Sequence, residues 1–291
     1  MSLTSFIVRY MFTKADDKRD AGLSTPDDIQ RFDDIVYGPD PKWNRLDVYR
    51  PKNTQGKLPV IVSVHGGGWV YGDKERYQYY CMDLAQRGFA VVNFTYHLSP
   101  KFKYPQPLLD TNLAFQWVLD NAESYGLDTD NLFAVGDSAG GHLLSLYCAV
   151  CTNPAYAARY SFSAPAGGCP KAVGLNSGAF QFTEDNSMTK SLMKDFLPQR
   201  GTPEEYEQVT PLHYLNGDFP PSYIMTAPKD FLKDDALKMH QALDTLGVEN
   251  IYRMYDNEDH SLAHVFHLDI RSAAAKECND EECRFFRNHM N

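Results

Sequence analysis

The chain has 291 residues and a formal net charge of −10, with 43% of its residues hydrophobic and 13% aromatic. That length allows one large α/β domain with a cap, or two small domains, around a real core. The acidic balance argues against nucleic acid or an anionic membrane surface as a partner.

The stretch Met1 to Phe12 has some apolar character, but Lys14 to Asp20 follow at once. No signal peptide and no membrane span are expected, and the location expected is cytoplasmic. Ser24-Thr25-Pro26, followed by Asp27 and Asp28, reads as a helix start within a polar N-terminal segment lying outside the main sheet. Ile35–Tyr37 and Leu46–Tyr49 read as short strands, and Pro51 to Gly56 as a turn. Val60–Val64, β-branched and bounded by Pro59 and a glycine run, reads as a buried strand. A helix over Tyr77–Arg87 stops at Gly88, and Phe89–Tyr96 is the next strand. Pro100 to Pro107 forms a loop. Leu108–Tyr125 has helical apolar spacing and ends at Gly126. Leu132–Val135 and His142–Cys151 follow as strand and helix. Cys148 and Cys151 lie one turn apart in this apolar helix, as buried thiols rather than metal ligands, and no metal or cofactor is expected.

Residues 152–170 read as a loop and Lys171–Ser177 as a strand. Residues 178–219, with Pro198, Pro203 and Pro211, break the α/β rhythm, where a cap over a site would sit. Ser222–Ala227 is a strand, Asp234–Leu246 a helix and Ile251–Tyr255 a strand. The last helix is expected from about Val265 into the tail. This alternation predicts a mostly parallel sheet covered on both faces.

Ser138 lies between the strand ending at Val135 and the helix from His142, bracketed by Gly136 and Gly140 in the pattern G-x-S-x-G. Such a turn strains the serine backbone and lifts its hydroxyl to a helix N-terminus, where backbone N–H groups favour negative charge. A serine nucleophile needs a base, and the base an orienting acid. Asp230 follows the strand Ser222–Ala227, at the sheet edge where ligands gather. It is favoured over Asp234 and Asp235, which open the next helix. His260, His264 and His267 are the base candidates, with His264 favoured. His65-Gly66-Gly67-Gly68-Trp69 follows the strand Val60–Val64. Its glycines can aim backbone N–H groups at an oxyanion, together with the N–H of Ala139. Walker spacing and its Lys-Ser/Thr ending are absent, which argues against a phosphate cradle.

His65-Gly66-Gly67-Gly68-Trp69 together with Gly136-Asp137-Ser138-Ala139-Gly140-Gly141 resembles the hormone-sensitive lipase-like branch of α/β-hydrolase esterases. Leu46-Asp47-Val48-Tyr49-Arg50-Pro51, Gly88-Phe89-Ala90-Val91-Val92 and Tyr104-Pro105 extend the likeness over about residues 45 to 270. The resemblance implies an α/β-hydrolase fold, with a mostly parallel central sheet flanked by helices and a small helical cap. The chain 1–291 is then one domain, with cap elements from 1–40 and 178–219. It implies Ser138 as nucleophile, Asp230 as acid, His264 as base, and Gly66, Gly67 and Ala139 as oxyanion donors. Asp230-Phe231-Leu232 has Phe where the family has Pro. His264-Val265-Phe266 has Val for Gly. Tyr96-His97-Leu98-Ser99-Pro100 has His for Arg, which weakens any ion pair expected there.

The function this implies is serine carboxylesterase action on short-chain, acetyl-type esters through an acyl-enzyme. The substrate is a small ester, with Trp69 and Tyr71 placed in its pocket. The alternatives are an arylformamidase-type hydrolysis of N-formyl amides and a non-catalytic ligand-binding member of the fold. A homodimer through the last helix and the edge strand is a further expectation from the resemblance.

Overall fold

The computed structural model describes residues 2–182 and 187–291, so Met1 and residues 183–186 of the expected cap segment lie outside the described residues. In chain order the elements are α1 (Leu3–Asp20), β1 (Ile29–Val36), β2 (Arg45–Pro51), β3 (Leu58–Val64), α2 (Lys74–Ala85), β4 (Ala90–Phe94), α3 (Gln106–Asp120), α4 (Ala122–Tyr125), β5 (Leu127–Asp137), α5 (Ala139–Thr152), α6 (Pro154–Ala157), β6 (Ala172–Asn176), α7 (Ser187–Phe196), α8 (Pro203–Val209), β7 (Ser222–Thr226), α9 (Lys233–Leu246), β8 (Asn250–Met254) and α10 (Ala273–Asn288).

Eight strands form one sheet in the order β1-β2-β4-β3-β5-β6-β7-β8. β1 and β2 pair antiparallel, β2 meets β4 antiparallel, and every pairing from β4 through β8 is parallel. The β-branched run in β3 explains its central place. Val60, Val62 and Val64 enter one core and Ile61 the other, as period-2 alternation requires in a strand buried on both faces. The first core takes Leu108 and Phe115 from α3, Leu143 and Leu144 from α5, and Met239 and Leu243 from α9. The second takes Tyr80 and Leu84 from α2 and Cys278 and Phe286 from α10. The mostly parallel sheet with helices on both faces is therefore the architecture of the chain.

Three sequence expectations are corrected. Ser24-Thr25-Pro26 does not start a helix. The N-terminal helix lies upstream, capped by the Ser2 side chain, which accepts from the N–H of Ser5. The segment after Pro26 leads into β1, whose pairing with β2 supplies its backbone partners. Residues 152–170 include the one-turn helix α6, capped by Asn153. The last helix begins at Ala273 behind the Ser272 cap, not at Val265. Val265 has φ 54° and opens a short 3₁₀ turn over Phe266–Leu268, and a left-handed residue cannot sit inside an α-helix.

Candidate active site

The parallel strands deliver the site. The glycine loop leaves β3, Ser138 leaves β5, Asp230 follows β7 and His264 follows β8, all at the C-terminal edge of the sheet. Ser138 has φ 52° and ψ −117°, a backbone that costs on the order of 1–3 kcal/mol and persists only where the surroundings impose it. Those surroundings are tight. Ser138 donates its N–H to the Asn176 carbonyl at 3.0 Å and accepts from the amides of His142 and Ala179. A Cβ on Gly140 would lie 1.9 Å from the Val64 carbonyl oxygen, so only glycine lets α5 approach β3 this closely.

His264 Nε2 lies 3.0 Å from Ser138 Oγ, and His264 Nδ1 lies 2.7 Å from Asp230 Oδ1. Asp230 also accepts from the Leu232 amide and the Thr226 hydroxyl, both at 2.9 Å. Burial works against its charge, but the hydrogen bond and charge of His264, with the Ser177 hydroxyl and the Leu232 amide, hold its carboxyl below the usual range. A backbone bond from Lys229 N–H to the Leu262 carbonyl, 3.0 Å, ties the acid loop to the histidine loop. The Phe231 ring packs against the His264 ring with centroids 4.2 Å apart.

The other candidates fall elsewhere. Asp235 Oδ2 accepts from the amides of Phe180 and Gln181, and Asp234 stands in the first turn of α9. His260 is exposed and bonded to Asp256. His267 is fully buried against the Tyr80 ring, and burial pushes it down to about 3.

Gly66 requires a correction. Its N–H donates to Tyr77 Oη at 2.8 Å, so it has no hydrogen left for an oxyanion. Tyr77 in turn donates to Asp137 Oδ2 at 2.8 Å. Burial pushes Asp137 up to about 7, against the opposing Tyr77 bond. Among the described residues, no hydrogen bond occupies the amides of Gly67, Gly68 or Ala139. Gly67 turns the loop at φ 112°, where a Cβ would strike the Tyr71 carbonyl oxygen at 2.2 Å. Gly68 and Tyr77 thus join the site, which the motif alone could not show because amide direction depends on this turn.

Trp69, at φ 61°, is buried, stacks on Phe196 and donates its indole N–H to His142 Nδ1 at 3.0 Å. His142 Nε2 reaches the Val209 carbonyl at 2.7 Å and must carry the ring proton, and burial keeps the ring neutral with a pKa of about 4. Trp69 thereby anchors the glycine loop to α5 and to the end of α8, while also lining a small cavity beside Ser138. Tyr71 lines a larger cavity of about 250 Å³ that contains Ser138 and His264, and its hydroxyl donates to Asp16 at 2.8 Å. A larger groove of about 660 Å³ near Trp43 and Lys74 holds none of these groups. Among the described residues, no three His, Cys, Asp or Glu side chains cluster closely enough to hold a metal ion. No helix among them is long and apolar enough to cross a membrane.

The family model BD-FAE matches residues 46–244, which include the glycine loop, Ser138 and Asp230. The chain belongs to the BD-FAE family. Esterase LipQ of Mycobacterium tuberculosis is 28% identical over 206 residues, 68% of this chain and 48% of LipQ. The versiconal hemiacetal acetate esterase of Dothistroma septosporum is 29% identical over 239 residues, 73% of this chain and 69% of that enzyme. The chain thus spans about half the length of LipQ and of other mycobacterial esterases that it matches. Among solved structures, esterase B of Lactobacillus rhamnosis superposes with a TM-score of 0.87 at 22% identity, covering 98% of this chain and 95% of that one. These matches place this BD-FAE member in the α/β-hydrolase fold, as its motifs suggest.

Proposed function

We propose that this BD-FAE member is a serine carboxylesterase acting on short-chain esters. The observation that carries the reading is the hydrogen-bonded chain Ser138–His264–Asp230, at 3.0 and 2.7 Å, whose Ser138 and His264 line a cavity. In this mechanism His264 Nε2 takes the Ser138 proton as Oγ attacks the ester carbonyl. Asp230 holds the imidazole by Nδ1 and stabilises the imidazolium that forms. The oxyanion is received by amides among Gly67, Gly68 and Ala139, and losing one such donor costs ~3–4 kcal/mol of barrier. His264 returns its proton to the leaving alcohol, then activates a water that releases the acid.

A short acyl group is supported by the second cavity at Ser138, about 50 Å³ and closed in by Val8, Trp69, Leu192 and Leu232. The acetate in the name of the versiconal hemiacetal acetate esterase is compatible with it. In this reading the chain is one domain; of the expected cap stretches 1–40 and 178–219, β1 joins the main sheet instead, which leaves α1, α7 and α8 for the cap, and the protein works in the cytoplasm. A homodimer would use the β8 edge, where Ile251 and Met254 are exposed.

The test is an assay panel of p-nitrophenyl acetate, butyrate and octanoate beside N-formylkynurenine. The wild type should cleave acetate and butyrate, with octanoate at least about tenfold slower because it outgrows the small cavity. Ser138→Ala and His264→Ala should each lose about 10³-fold or more, and His260→Ala should keep its rate. Silence on every ester, or faster turnover of the formamide, would overturn the reading.

A further inference from the structure

The two cavities at Ser138 differ in one decisive respect. His264 lines the 250 Å³ cavity and is missing from the 50 Å³ one. The leaving alcohol takes its proton from the imidazole, so it must depart on the side that His264 faces. The larger cavity is therefore the alcohol side, and its lining describes the alcohol.

One wall of that cavity is α1, through Phe12, Ala15, Asp16 and Arg19. The Phe12 and Tyr71 rings meet edge to face at 5.9 Å and make the wall mainly apolar. Asp16 interrupts it. Its Oδ1 accepts from Arg19 Nη1 at 2.9 Å and its Oδ2 from Tyr71 Oη at 2.8 Å. A carboxylate offers about four lone-pair sites, so two remain. Arg19 has little to offer a ligand. Its Nε and Nη2 hold Asp20, Nη2 also holds the Arg76 carbonyl, and Nη1 holds Asp16. Arg19 is a brace, and Asp16 is the acceptor it presents. An alkyl leaving group would cover that carboxylate without replacing its water, whereas a hydroxyl would satisfy it.

We propose that Asp16 is a specificity-determining residue that accepts a hydrogen bond from a hydroxyl on the leaving alcohol. The preferred substrates are then short-chain monoesters of small polyols, with a hydroxyl two or three carbons from the ester oxygen. The proposal rests on the ester-hydrolase reading above. Asp16 acts on binding and orientation of the alcohol, and takes no part in moving the Ser138 proton.

The experiment compares glycerol 1-monobutyrate with propyl butyrate, whose three-carbon leaving groups differ only in two hydroxyls. The ratio of their kcat/KM values should favour the glycerol ester at least tenfold in the wild type. Asp16→Ala should bring the ratio close to one, and Asp16→Asn, which keeps the shape and loses the charge, should lower it at least threefold. Both esters are measured on the same preparation, so loss of folded protein cancels in the ratio. A wild type that cleaves both esters without preference, or a ratio that survives in Asp16→Ala, overturns the proposal and leaves the ester-hydrolase reading standing. A wild type that cleaves neither ester overturns both.

Discussion

Tyr77 ties the glycine loop to the turn that carries Ser138. Its hydroxyl accepts the Gly66 N–H and donates to Asp137, the residue before Ser138, each at 2.8 Å. One phenol thus fixes the loop after β3 to the turn after β5, and the amides that follow Gly66 inherit their direction from it. Tyr77→Phe leaves a buried N–H and a buried carboxyl oxygen without this partner, a cost of about 1–3 kcal/mol in stability. Misaimed amides act on the transition state, so kcat should fall about 10- to 100-fold with KM little changed. Steady-state kinetics on p-nitrophenyl butyrate check this, and an unaltered kcat would show that the loop holds its shape without Tyr77. His97 is a second residue whose structure departs from its expectation. Its Nδ1 and its amide both meet Asp110 Oδ2 at 2.7 Å, and Nε2 reaches Asp40 at 3.3 Å, so the pairing is kept rather than weakened.

At the scale of elements, the strands were the most legible part. Runs such as Val60–Val64 and Leu132–Val135 are buried on both faces and read as continuous apolar segments whatever packs on them. Ser138 and Asp230 stand out because each follows a strand closely, whereas His264 lies well beyond the end of β8 and is only the favoured one of three histidines; the parallel sheet brings all these loops to one edge. What escaped reading depends on tertiary contacts. Val265 stands in the left-handed region at φ 54°, where its β-branched side chain is strained. Glycine there, as in the resembling family, would have signalled the turn, while valine suggested a helix that starts eight residues too early. The spent Gly66 amide was invisible because G-G-G does not say which N–H faces Tyr77. The part α1 plays in the Ser138 cavity is equally hidden, since only the packing of the helix over the sheet edge brings Phe12, Asp16 and Arg19 to it.

Across the whole molecule, buried titratable groups set how stability depends on pH. Burial pushes Asp137 and Glu282 up to about 7, from ordinary values of 3.8 and 4.5. Folded pKa values above the unfolded ones mean that their contribution is complete in acid and is lost as pH rises to about 7. His97 acts in the same direction. Burial opposes its charge, but Asp110 and Asp40 outweigh it and raise its pKa, so its contribution fades as pH climbs through the folded value. Burial pushes His65, His142 and His267 down from 6.5 to about 4, 4 and 3, and their contribution is lost as pH falls below 6.5. The two trends meet, and thermal stability should peak at about pH 6. Glu282→Gln, which can still meet the Asn176 amide that Glu282 now accepts at 2.8 Å, should flatten the decline between pH 6 and 8. Melting curves across pH check this, and a wild-type Tm that rises through pH 8 would contradict it. Ser138 as nucleophile and His264 as its base are the core of the proposed chemistry. It is tested most directly by treating the protein with diethyl p-nitrophenyl phosphate and locating the adduct by mass spectrometry. One diethylphosphoryl group is expected, on Ser138, formed far more slowly in His264→Ala and at the wild-type rate in His260→Ala. An adduct that persists in Ser138→Ala, or that forms at full rate without His264, would contradict it.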